Sequence, residues 1–509
     1  FFFIIHLLFS FLFSFHFFFK MNTLKSVTTL SILALSSSAY APDEITSLPG
    51  WTGPLPTKQY SGYLNVTSSG SHLHYWFVES EASPETAPVV VWFNGGPGCS
   101  SLDGFFYEHG PFEVNSDYKT LSLREYRWNS IVNMLYIEAP VGVGFSYSDT
   151  KNYKLNDDRT ADENRAAIEA FYASFPEYKQ NKLFITGESY GGIYVPTLAE
   201  AILNAEKAGT YTGAKLTGIG VGNGCTGTEI GICGNGPQGT FYEWEYLVQT
   251  GFIDTDLKNE INSSCDWVAA EANTPGALSQ ECVKLLAKAS NEIQNVNLYN
   301  IYGECVSSTC ASGDGQRRGK VPVRDTPLTS TNLRTIDHGR KLQRIIPFGP
   351  DACIDSAAAS GYLNQPEVMA AIHVRDPGFC WAICNTAPGW TYKSTRTNLP
   401  ANTYPQLVSD INVLIFNGDW DACVPYTDNE AWTENMGYTV KNSWHPWSYT
   451  ATSGATNQVG GYAVEYDVSS LGSGSFEFIT VRGGRHEVPE TAPAQALELL
   501  DRLVNNKRF

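Results

Sequence analysis

The stretch LFITGESYGG, residues 183–192, decides the fold. Its apolar first half has strand length, and its second half places Ser189 in the frame Gly187-Glu188-Ser189-Tyr190-Gly191. A strand that ends in Gly-x-Ser-x-Gly and leads into a helix is the sharp turn that exposes a serine hydroxyl above an α/β-hydrolase sheet. The amphipathic run VPTLAEAILNAEKAG follows directly and supplies that helix. Alone, the pattern also describes a glycine-rich turn with a surface serine, so the surrounding sequence has to decide.

Other apolar runs of strand length repeat along the chain: APVVVWFNG (87–95), VNMLYIEAP (132–140), LTGIGVGNG (216–224), DINVLIFNGDWD (410–421) and GSFEFITVRGGRHEVP (474–489). Continuous apolar runs rather than alternating ones suit strands buried on both faces of a mostly parallel sheet covered by helices. Residues 157–174, which open on acids, suit one such helix. From Cys225 the pattern weakens into glycine-rich turns, a helical stretch and a polar, arginine-rich run at 313–344. The expected organisation is hydrolase core in residues 42–224, a helical and irregular cap in 225–352, and the rest of the core in 353–509. The run 313–344 is expected to be an exposed loop and a candidate for excision.

Two later strand ends complete a constellation around Ser189. After INVLIF, the turn NGDWDACVP offers Asp419 and Asp421. Asp421 is preferred because it completes a Gly-x-x-Asp-x-x-Val-Pro turn and leaves Asp419 to brace the loop. After FEFITV, a Gly-Gly turn presents His486, whereas His373 and His445 suit packing or surface roles. Serine, acid and histidine then follow in the chain order of α/β-hydrolases. A glycine-rich loop, Asn94 to Ser101, ends an earlier strand, and its amides together with that of Tyr190 are candidates for an oxyanion hole at Gly96 and Tyr190.

The chain has 509 residues and a net charge of -18, which argues against nucleic acid and anionic membrane surfaces as partners. Residues 1–20 lack methionine and read as translation upstream of Met21; residues 21–41 read as a signal peptide. Eleven cysteines without zinc-site spacing then imply disulfides in an oxidising secretory route, leading to the extracellular space, vacuole or lysosome. In that setting Asn65 and Asn262 are glycosylation acceptors. No metal or cofactor is signalled, no stable membrane association is expected, and a homodimer stays open.

Four motifs, WFNGGPGCSS, GESYGGIYVP, FNGDWDACVP and GGRHEVP, together resemble the serine carboxypeptidase family over roughly residues 48–505. The resemblance implies release of C-terminal amino acids from peptides in mild acid, with Ser189 as nucleophile, Asp421 as orienting acid and His486 as general base. It implies oxyanion donors at Gly96 and Tyr190, and recognition of the substrate carboxylate by Asn94, Gly95 and Glu188, with Glu108 behind Glu188. It also implies a Cys99–Cys353 disulfide and Cys423 as the leftover thiol near the pocket. One departure stands out: Arg485 precedes the histidine where the family often has glycine. Glu487, just after it, is read either as a lure for basic leaving residues or as a solvated loop residue. The alternatives are an acyltransferase of the carboxypeptidase-like kind and a non-catalytic protective or binding partner; the intact triad speaks against the last.

Overall fold

In the strand Val89–Phe93, the side chains of Val89, Val91 and Phe93 join one apolar layer and those of Val90 and Trp92 join another. Successive residues of a strand point to opposite faces, so a run that is apolar throughout requires cover on both sides. That requirement organises the molecule. The structure, a computed structural model, describes residues 43–294, 296–306, 353 and 356–509. The expected upstream segment, signal peptide and excised loop 313–344 lie outside the described residues.

The principal strands are β1 (Gln59–Val66), β2 (Ser71–Val78), β3 (Val89–Phe93), β4 (Asn133–Ile137), β5 (Leu183–Glu188), β6 (Leu216–Gly222), β7 (Asn412–Gly418), β8 (Thr439–Tyr449), β9 (Gln458–Asp467) and β10 (Ser475–Val481). Among the described residues they form an 11-stranded sheet, completed by a short strand at Tyr147–Ser148, in the order β1-β2-β4-β3-β5-β6-β7-β10-β9-β8. The six strands from β4 to β10 run parallel. Antiparallel pairs close both sides: β1 with β2, β2 with β4, β9 with β10, and β8 with β9. The chain has the α/β-hydrolase fold, with a mixed sheet whose centre is parallel.

On one face lie helices α1 (Asp157–Ser174) and α2 (Gly191–Lys207), which contribute Ala167, Ile168, Phe171, Ile193, Leu198 and Ile202 to the first layer. Asn156 caps α1 by accepting from the Arg159 amide, and Asp157 and Asp158 occupy its first turn, where the helix dipole favours negative charge. The opposite face is covered by the helix Pro493–Asn505 through Ala496, Leu499, Leu500 and Leu503. Between β6 and β7, helices α3 (Gln238–Leu247), α4 (Thr255–Ser264), α5 (Trp267–Glu271) and α6 (Gln280–Ile293) build a separate apolar cluster. Ala422, from the loop after β7, belongs to the same cluster, so the helical insertion rests on that loop.

The expected Cys99–Cys353 disulfide does not form. Cys99 pairs with Cys384 and Cys353 with Cys305, and further bridges join Cys225–Cys233 and Cys265–Cys282. The reason is local. Ser100 N donates to Ile383 O at 2.7 Å, which lays the two segments side by side and brings the Cα atoms of Cys99 and Cys384 to 4.0 Å. Cys423 retains its thiol and is half-buried.

Candidate active site

Ser189 sits between β5 and α2 with φ = 59°, a left-handed conformation that costs a non-glycine residue roughly 1–3 kcal/mol and needs close support. The support comes from backbone on three sides. Ser189 N donates to Gly222 O at 3.0 Å, and its carbonyl accepts from the amides of Gly192 at 2.9 Å and Cys225 at 3.0 Å. At Gly187, a Cβ would lie 2.4 Å from Phe93 O, so this flanking position must be glycine for strand and turn to close up.

β5, β6, β7 and β10 are parallel neighbours, so the turns at their carboxyl ends share one edge of the sheet. Asp421 follows β7 and is fully buried. Its Oδ2 accepts from the Val424 amide at 3.1 Å and lies 2.7 Å from His486 Nδ1, while Oδ1 accepts from the Cys423 amide at 2.7 Å. Asp419 is the brace: its Oδ1 accepts from Gly483 N at 2.7 Å, tying the acid's loop to the histidine's turn. His486 Nε2 is buried and makes no hydrogen bond among the described residues. With Nδ1 held by the carboxylate, Nε2 is the nitrogen left to exchange a proton.

Two further residues position this pair. Asn223, just past β6, donates from Nδ2 to Asp421 Oδ2 at 2.8 Å, and its Oδ1 accepts from Gly418 N at 3.0 Å. Tyr299 accepts the His486 amide at 2.8 Å and sets its ring perpendicular to the imidazole, with centroids 4.7 Å apart. The neighbouring Leu298 carbonyl accepts from Ala422 and Cys423. A signal for Asn223 existed in GVGNG, where a polar residue ends an apolar strand; Tyr299 carried none.

The loop after β3 packs against the Ser189 turn. At Gly95 a Cβ would lie 2.4 Å from Tyr190 N and 2.7 Å from Ser189 Cβ, so only glycine permits this approach. Gly96 has φ = 108°, a second position suited to glycine. Tyr190 is fixed from its other end, where the hydroxyl donates to Asp157 Oδ1 at 2.8 Å and meets Ser394 Oγ at 2.6 Å.

Asn94 links the predicted carboxylate-binding set. Its Nδ2 donates to Glu108 at 2.9 Å and Glu188 at 3.0 Å, and its Oδ1 accepts from Trp92 Nε1 and the Gly104 amide. Burial pushes Glu108 up to about 8 and Glu188 well above the ordinary carboxylate range, with the neighbouring acids adding to both. Asp103, also buried, is raised by its desolvation and then by the charges of Glu487 and Glu108. These carboxyls favour the protonated form.

Arg485 supplies a cation next to the acids. It pairs with Glu487 and, at 2.6 Å, with Glu490. One of the two readings of Glu487 therefore needs correction: its side chain is 4% exposed and engaged by Arg485, so it is not a solvated loop group. Asp421, Cys423 and His486 place potential ligand atoms within 4.8 Å of one another. The Asp421–His486 hydrogen bond accounts for that closeness.

The model for serine carboxypeptidases matches residues 49–506. The chain belongs to the serine carboxypeptidase family. Serine carboxypeptidase-like 20 of Arabidopsis thaliana is 33% identical over 517 residues, covering 96% of this chain and 98% of the relative. The lysosomal protective protein of Mus musculus is likewise 33% identical over 501 residues, covering 96% and 99%. Among solved structures, Kex1(delta)p, a prohormone-processing carboxypeptidase from Saccharomyces cerevisiae, superposes with a TM-score of 0.66 at 22% identity, covering 92% of this chain and 96% of that one. As a serine carboxypeptidase the protein is a hydrolase. Its disulfides fit a secretory route, and among the described residues no helix is long and apolar enough to cross a membrane.

Proposed function

We propose that this serine carboxypeptidase removes C-terminal residues from peptides through an acyl-enzyme on Ser189. The observation that carries the reading is the Asp421–His486 contact of 2.7 Å, with Nε2 unengaged, on the sheet edge that also bears the strained Ser189 turn. His486 Nε2 takes the Ser189 Oγ proton as Oγ attacks the last peptide carbonyl, and the Gly96 and Tyr190 amides donate to the oxyanion. Asp421 holds the ring and stabilises its charged form. Collapse breaks the C–N bond, and His486 passes its proton to the leaving amine. Water, deprotonated by His486, then attacks the acyl carbon and restores Ser189.

Asn94, Gly95 and Glu188 recognise the substrate carboxylate, with Glu108 supporting Glu188. A protonated Glu188 donates to that carboxylate; ionised, it repels it. Binding is therefore strongest in mild acid. Asn65 and Asn262, both exposed, are proposed glycan carriers.

The test is release of the terminal amino acid from an N-blocked dipeptide from pH 5 to pH 9, with Ser189→Ala and a C-terminally amidated substrate as controls. Release that needs Ser189 and the free carboxylate, with KM rising as the pH passes through the raised carboxyl range towards 9, supports the reading. Equal KM at pH 5 and pH 9 refutes the carboxylate-binding part.

A further inference from the structure

The loop that carries Gly96 is held at its two ends by separate networks. At the Asn94 end the anchors are Trp92, Gly104, Glu108 and Glu188. At the other end, Ser100 Oγ donates to Glu138 Oε1, and Leu102 N donates back to Ser100 Oγ at 3.1 Å. Glu138 is 1% exposed and lies just past β4, the strand beside β3. Its carboxylate accepts from three more donors: Trp381 Nε1 at 2.8 Å, Phe145 N at 2.8 Å and His74 Nδ1 at 2.9 Å.

The other end of His74 is also fixed. Ser61 Oγ donates its single proton to Ile372 O at 2.7 Å, so at 2.9 Å it accepts from His74 Nε2. Ser61, His74 and Glu138 thus form a buried serine–histidine–acid array whose serine proton is already committed. That array holds structure and has no nucleophile. What it holds converges on the loop after β3: Trp381 and Ile383 belong to the segment whose Cys384 is bonded to Cys99, and Ile383 O accepts the Ser100 amide.

We propose that Glu138 is a positioning residue for the oxyanion hole, setting the Gly96 amide through Ser100 and the Cys99–Cys384 segment. This rests on the reading of Gly96 as an oxyanion donor. The division of anchors gives it a signature. Loss of the Glu138 network shifts the Gly96–Ser100 end while the Asn94 end stays fixed, so the developing oxyanion loses its donor and the substrate carboxylate keeps its own.

The experiment uses Ser100→Ala, which deletes the hydroxyl reaching Glu138, and Glu138→Gln, which offers an amide to groups that are themselves donors. Each is assayed for kcat and KM on the blocked dipeptide, for inhibition by a peptide aldehyde that forms a tetrahedral adduct, and for inhibition by the free amino acid product. Losing one oxyanion donor costs about 100- to 1000-fold in kcat, so a displaced one in Ser100→Ala should cost roughly 10-fold. Aldehyde affinity should fall in parallel, with KM and product inhibition within about twofold. A kcat equal to wild type in Ser100→Ala overturns the proposal, as does a joint decline of aldehyde and product binding, which marks general loosening. If Glu138→Gln does not fold, Ser100→Ala still decides. Failure of the wild-type enzyme itself to bind the aldehyde would instead refute the oxyanion reading beneath.

Discussion

Raising the pH from 4.5 to 8 should weaken the folded protein, and Glu108 should carry a large share of the loss. Its carboxyl is fully buried, accepts from Asn94 through one oxygen and leaves Oε2 without a partner among the described residues. Burial, followed by the Glu487 charge, lifts it from 4.5 to about 8. Between those two values the native state keeps a proton that the unfolded chain releases. Stability therefore falls as pH rises: the contribution is intact below 4.5, declines through the interval and is gone above about 8. At about 1.4 kcal/mol for each pH unit of that interval, the upper limit for this group is about 5 kcal/mol. The measurement is urea unfolding with disulfides intact at half-unit steps from pH 4.5 to 8, on wild type and Glu108→Gln. The glutamine can still accept from Asn94 but does not titrate. The wild-type stability should drop relative to the variant by several kcal/mol across the range. Parallel curves, or a wild type that gains on the variant as pH rises, would refute the reasoning.

Replacing Asp421 by Asn should leave the fold in place and lower kcat by about 10^4-fold, because an amide at 2.7 Å from His486 Nδ1 favours the wrong tautomer; steady-state kinetics at pH 5 reads this. Gly95→Ala would press a Cβ against Tyr190 N and Ser189 Cβ, costing about 1–3 kcal/mol of stability and, by displacing the nucleophile's turn, at least 100-fold in kcat/KM, checked by thermal unfolding and by Ser189 labelling rate with a phosphonate. Arg485→Met should destabilise the protein by about 3–5 kcal/mol by stranding Glu487, and the double variant Arg485→Met with Glu487→Leu should recover most of it in the same unfolding assay.

The parallel centre of the sheet could be read from the sequence because its strands are buried on both faces and so are apolar without interruption, as in Val89–Phe93 and Ser475–Val481. The outer strands could not. β8 is mostly exposed along its first eight residues, and β1 mixes polar residues into buried positions, Gln59 and Ser61 among them, that only hydrogen-bonding partners make tolerable. The same division runs through the site. Ser189, Asp421 and His486 sit in turns whose glycines and prolines leave a local mark; Asp421 lies 2.7 Å from His486 Nδ1, and Asp419 accepts from Gly483 N. Asn223, Tyr299 and the partner of Cys99 depend on which segments meet in space, and chain spacing does not carry that information.

Ser189 and His486, the proposed nucleophile and base, are 297 residues apart (486 minus 189), and Cys99 waits for Cys384, 285 residues later. At roughly 5–20 residues per second, a growing chain would expose its serine about 15–60 s before its base has been synthesised. For about the first two-thirds of that interval (195 of 297 residues, 384 minus 189) the loop of Gly96 also lacks the segment that fastens it. On the proposed roles, a half-made chain thus carries its serine without its base and cannot cut its neighbours by that chemistry. The timing is written into the order of the chain.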